Sequence, residues 1–205
     1  MNRRGFVATV VGGLAVAGCS RRRAASDAAP PAVDKSEEAE LDYGIELDDS
    51  GHSIRVREDR KFHSGDGFRF LFRPGFNAYV YLVNRGPGQP SYQVLFPSER
   101  IGVRNPIVKG RLVTVPDAAT GWLRMDASQG DENLVLIAAS VPLEEFSEMP
   151  ASIGRDEFES RLAAVERRCR PASSRRFEDG DWVKLFAAGG KRDLAIVVRL
   201  PLWHG

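Results

Sequence analysis

Two cysteines in 205 residues are too few for a disulfide scaffold or an all-cysteine zinc site. Histidine is nearly as scarce, with three: His52, His63 and His204. No His-Glu-x-x-His or Cys-x-x-Cys occurs, so each histidine reads as a surface or strand-end residue and no metal is expected. No apolar run reaches the roughly 18–20 residues that cross a bilayer as a helix. Charge of one sign is also missing: 29 Lys and Arg stand against 28 Asp and Glu, which removes an overall electrostatic case for nucleic acid. There is no Gly-x-Ser-x-Gly elbow, no P-loop, and no Gly-x-Gly-x-x-Gly after a strand. Gly86-Pro87-Gly88 echoes the last, but Pro87 has no backbone N–H to offer a phosphate, and it reads as a turn. No cofactor and no catalytic residue are expected. What the chain does have is 42% hydrophobic and 28% charged residues, enough for a packed core.

The first twenty residues carry the clearest message. Arg3-Arg4 precedes an uncharged apolar stretch from Phe6 to Ala17 that ends in small residues, the pattern of an export signal. Val16-Ala17-Gly18-Cys19 resembles the lipobox of bacterial lipoproteins. That resemblance implies acylation of the Cys19 thiol, cleavage after residue 18, and stable anchoring by several acyl chains. Asn2-Arg3-Arg4-Gly5-Phe6-Val7 also resembles the twin-arginine export motif, with Arg3 and Arg4 as its recognition pair. Asn2 stands where Ser or Thr is usual, and the usual later Lys is absent, so general secretory export stays open. Ser20, following the acylated position, implies the outer membrane by the sorting rule of such lipoproteins.

Arg21-Arg22-Arg23 would lie beside lipid phosphates, or be surplus arginine. Eight acids lie between Asp34 and Asp49 against one Lys, so residues 19–49 read as the lipidated Cys and a solvated acidic tether. Residues 50–205, with 23 basic and 19 acidic side chains, form the expected folded unit. Period-two patterns dominate it: His52 to Arg57; Phe68 to Arg73 with three Phe on one face; Ala78 to Val83; Tyr92 to Phe96; Arg111 to Val115; Trp122 to Met125. Asn133 to Val141 is nearly continuously apolar, as in a central strand. From Asp156 to Arg168, Phe158, Leu162 and Val165 recur at i, i+4 and i+7, which predicts one amphipathic helix. Asp181 to Ala187 and Asp193 to Leu200 read as a hairpin turning at Gly189-Gly190, with Pro201 ending the last strand. The expected fold is mainly β: a two-sheet antiparallel β-sandwich with one packed α-helix.

Ser64-Gly65-Asp66-Gly67-Phe68-Arg69-Phe70, Gly75-Phe76-Asn77-Ala78-Tyr79-Val80-Tyr81-Leu82-Val83-Asn84 and Leu95-Phe96-Pro97 resemble the bacterial domain family DUF 4384. Asn105-Pro106-Ile107, Gly110, Val115-Pro116 and Ala138-Ala139-Ser140-Val141-Pro142 fill the family's later positions. The resemblance covers roughly residues 51–142, with 143–205 adding helix and hairpin to the same unit. It departs at the loop Arg85 to Pro90. These are turn and core residues, so the resemblance implies a β-fold in a cell-envelope protein, an accessory or recognition role, and no assigned ligand.

Three groups could still carry function. Tyr79, Tyr81 and Tyr92 form a candidate binding ledge if Val80 and Leu82 face the core; the large area of their rings argues for burial instead. Glu144, Glu145 and Glu148 could work as paired carboxylates of an envelope glycan hydrolase, or be a solvated helical turn. Cys169, among Arg167, Arg168 and Arg170, reads as a buried, inert thiol. The expectation is a non-enzymatic binding or assembly module. It is lipid-anchored at the outer membrane, facing the periplasm or cell surface, and its partner is a protein or envelope polymer.

Overall fold

The computed structural model describes residues 39–98, 101–147, 149–171, 175–187 and 193–205. Strands are β1 (Ala39–Asp49), β2 (His52–Val56), β3 (Lys61–Phe62), β4 (Gly67–Pro74), β5 (Tyr79–Arg85), β6 (Ser91–Phe96) and β7 (Val113–Val115). Next come β8 (Leu123–Arg124), β9 (Gly130–Ala139), β10 (Ser152–Gly154), helix α1 (Arg155–Arg168), β11 (Arg170–Pro171), β12 (Arg175–Asp179), β13 (Trp182–Ala187) and β14 (Leu194–His204). The chain is a mainly β, two-sheet sandwich with one helix. The first sheet runs β12-β13-β1-β4-β7, with β2 on β1 and β8 on β4. The second runs β10-β6-β5-β9-β14-β11, with β3 on β14.

The sandwich interior follows from period two. Leu41, Tyr43, Ile45 and Leu47 of β1 and Phe68, Phe70 and Phe72 of β4 face Val80, Leu82, Leu134, Leu136, Ile196, Leu200 and Leu202 of the second sheet. The second sheet is buried on its other face too. There Tyr81, Val83, Val135, Ile137 and Ala139 lie under α1. Burial on both faces is why β9 reads as a continuous apolar run. Helix α1 turns Phe158, Leu162 and Val165 onto that sheet. Asp156 and Glu157 in its first turn, with Arg167 and Arg168 in its last, match the helix dipole. Pro171 forces the residue before it out of helical backbone, so the helix gives way to β11.

Three expectations change. The acidic tether to residue 49 is corrected: its last eleven residues are β1, the middle of the first sheet. Alternate acids on β1 lie directly opposite arginines, Glu46 between Arg55 and Arg69, and Asp42 beside Arg73. Trp182 stacks on Arg55 (4.2 Å) and Trp122 on Arg69 (4.3 Å) along the same outer face. The turn into β2 is a two-residue one with positive φ at both Ser50 and Gly51, the geometry that matches strand twist. The hairpin of residues 181–200 is also corrected. β13 pairs with β12 and β1, whereas β14 lies in the other sheet beside β9; the expected Gly189-Gly190 turn lies outside the described residues. Pro201 does not end the last strand, which runs on to His204. Its outer edge pairs with β11 at residues 194–195 and with β3 at 203–204, so Pro201 falls between them, where no ladder partner needs its N–H. Residues 152–205 supply strands to both sheets.

Candidate functional site

The candidate tyrosine ledge is not exposed; its rings are buried or partly buried, as their large area argued. Tyr81 and Tyr92 are 3% and 2% exposed, and Tyr79 is partly buried beside them, because α1 and a short 3-10 helix at Glu144–Phe146 cover that face. Tyr81 sits 5.4 Å from the Phe146 ring and accepts a hydrogen bond from the Leu143 N–H; burial pushes its phenol pKa up. Tyr92 sits 4.2 Å from the Phe158 ring and donates its hydroxyl to Glu159. Glu145 is held by both arms of Arg168, at 3.2 and 2.8 Å, which ties the 3-10 helix to the end of α1. Glu148 lies outside the described residues, as do Cys19, Arg3 and Arg4. Cys169 is fully buried, and burial pushes its thiol pKa up although Arg168 opposes this.

Two features that sequence reading did not identify stand out. The first is a pair of adjoining open cavities of about 530 and 830 Å³ beside the connection from β6 to β7. Pro97, Gly102 to Asn105, and Arg111 to Thr114 line them. The connection is fastened to the sandwich by mimicry of a strand. The Asn105 side chain accepts from the Val80 N–H at 3.0 Å and donates to the Val80 carbonyl at 2.8 Å. Ile107 exchanges both backbone bonds with Ala78. Asp117 accepts from the Thr120 hydroxyl and N–H, which lowers its carboxyl pKa. Gly102, at φ +79, passes against the Asp117 carboxylate, where no Cβ would fit. Arg104 and Arg111 stand exposed at the cavities without an ion pair among the described residues. Leu112 beside them is 49% exposed.

The second is a polar cluster at one end of the sandwich. On β9 Glu132 lies opposite Leu202 of β14, so Glu132 and His204 project from neighbouring strands to the same side, toward the interior. Asn84 at the end of β5 donates to Glu132 at 2.6 Å. Asp126 follows β8 in the other sheet. One donor atom from each of Asp126, Glu132 and His204 lies within 4.8 Å of the others. His204 is fully buried and Glu132 is 6% exposed. Ser64 Oγ is 3.1 Å from His204 Nε2, while Nδ1 is buried without a partner. These residues are dispersed along the chain, and only strand register brings them together. A charged residue opening an apolar run, Glu132, was the available signal.

Set against family models, curated proteins and solved structures, the chain matches none.

Proposed function

We propose that this chain is a lipid-anchored cell-envelope protein, acylated at Cys19, whose sandwich is a non-catalytic binding or assembly module. It is held at the outer membrane and faces the periplasm or cell surface. Its partner is a protein or an envelope polymer, met at the cavities between β6 and β7. The observation that carries this reading is the pairing state of the charges. On the outer face of the first sheet acids and arginines neutralise one another, whereas Arg104 and Arg111 at the cavities are exposed and have no ion-pair partner among the described residues, beside exposed Leu112. Cationic groups next to apolar surface offer a partner both charge and area to bury. The lipobox-like Val16 to Cys19 supports the envelope setting. The alternative, a glycan hydrolase, finds less support: Glu145 is committed to Arg168, and neither cavity is lined by Glu144 or Glu145.

A photoreactive residue at Val103 or Leu112 of the full chain, activated in intact envelopes, tests the binding surface. The expected result is a discrete adduct from these positions and none from exposed Ser53 on β2, away from the cavities. Adducts of equal yield from all three positions, or from none, would refute it.

A further inference from the structure

We propose that Asp126, Glu132 and His204 form a binding site for one divalent first-row transition ion of the zinc class, a role separate from the binding-module reading. Glu132 is buried, accepts a single hydrogen bond from Asn84, and has no ion-pair partner among the described residues. A buried carboxylate without a cation is expensive, and a second one close by makes it more so. Opposite it lies His204, fully buried, with a ring nitrogen that nothing satisfies. With the ring proton on Nε2, that N–H donates to Ser64 Oγ and Nδ1 holds a lone pair to offer. Asp126 accepts one bond at Oδ1 from the Ser128 N–H, and its other oxygen is open. The orphaned imidazole nitrogen and the uncompensated buried carboxylate are two separate deficits, and one cation bound through Nδ1 and the carboxylate would remove both.

The geometry fits such an ion. At the centre of three atoms within 4.8 Å of one another it lies at most about 2.8 Å from each, so shifts of no more than about 0.6–0.8 Å reach zinc distances of about 2.0–2.2 Å. An imidazole ligand favours zinc, and its neighbours in the transition series, over magnesium or calcium, which prefer all-oxygen sites. Two carboxylates balance the ion's charge. Exposed Asp126 gives access from solvent and leaves room for water as a fourth ligand. Glu132 and His204 belong to the second sheet and Asp126 follows a strand of the first, so the ion would bolt the two sheets together at that end.

The test uses the full chain in detergent, stripped with a chelator and titrated with Co²⁺ and with Zn²⁺. We expect one ion per chain, a visible Co²⁺ spectrum without a thiolate charge-transfer band, and a rise in melting temperature with Zn²⁺. Glu132→Gln keeps an acceptor for Asn84, so without metal it should melt no lower than the parent. With metal it should bind at least tenfold more weakly and lose the thermal gain. Asp126→Asn, at an exposed position, should weaken binding similarly and decides the matter if Glu132→Gln fails to fold. The proposal is overturned by absence of saturable Co²⁺ or Zn²⁺ binding below about 1 mM, by undiminished affinity in the deciding variant, or by preference for Mg²⁺ or Ca²⁺.

Discussion

A chain that begins at Ser50 should not fold, although composition places the folded unit there. The cut removes β1, the strand between β13 and β4. Leu41, Tyr43, Ile45 and Leu47 are 0, 1, 2 and 4% exposed, all in the sandwich interior. At about 2 kcal/mol for each buried side chain, the strand contributes roughly 8 kcal/mol from apolar burial before any ladder bond is counted. A domain of this kind has about 5–15 kcal/mol in all. Removal also leaves the facing edges of β13 and β4 unpaired and strips the partners from Arg55, Arg69 and Arg73. The assay is thermal unfolding by circular dichroism of chains starting at Ala39 and at Ser50. The first should melt cooperatively and the second should show no transition and bind a hydrophobic dye. Ile45→Ala grades the effect: a loss of about 3 kcal/mol lowers the midpoint by roughly 6–12 °C. Cooperative melting of the Ser50 chain near the temperature of the longer one would refute the reasoning.

Cys19→Ala should move the protein from the membrane to the soluble fraction or leave an uncleaved precursor, and metabolic labelling with a fatty-acid analogue checks it; equal labelling of both forms excludes Cys19 as the acyl acceptor. Leu162→Asp sets a carboxylate under α1 against Val135 and Ile137 and should cost at least about 3 kcal/mol, read by calorimetry as one transition shifted downward. Glu159 has its pKa lowered, first by the hydrogen bond from Arg199. Its folded value lies below its unfolded one, so its contribution is complete above the ordinary carboxyl range near pH 4 and is lost as pH falls through the folded value. The pair is partly exposed, so Glu159→Gln should flatten the acid limb of stability by less than about 1 kcal/mol in pH-dependent urea titrations.

Local period carried much of the fold. The phenylalanines of β4 stack in the interior as their alternation requires, with Phe70 and Phe72 6.0 Å apart. The i, i+4, i+7 stripe of α1 is the face it buries. β1 carries the same period-two signal, Leu41-Asp42-Tyr43-Gly44-Ile45-Glu46-Leu47-Asp48, but acid content outweighed it. That reading treated the acids as solvated, whereas they lie across from arginines on strands distant in sequence, which no local window contains. The same limit applies to β13 and β14. Adjacent strands with glycines between them look alike whether the chain turns back or crosses to the other sheet. Tyr81 could not be placed because both faces of β5 are covered, one by the sandwich and one by α1. The Asp126, Glu132 and His204 cluster exists only through register.

The strand order has a temporal consequence. The earliest described strand, β1, is the middle of one sheet, and the last, β14, lies inside the other, joined to β9 along ten residues. Neither sheet can be completed by the part of the chain that leaves the ribosome first. β5 and β9 are available early, but β9 must wait for some sixty further residues before its long neighbour arrives. Until then its apolar edge is open to association with other chains, and late closure through distant contacts is slow. Such a polypeptide remains threadable until β14 has been made and has paired with β9.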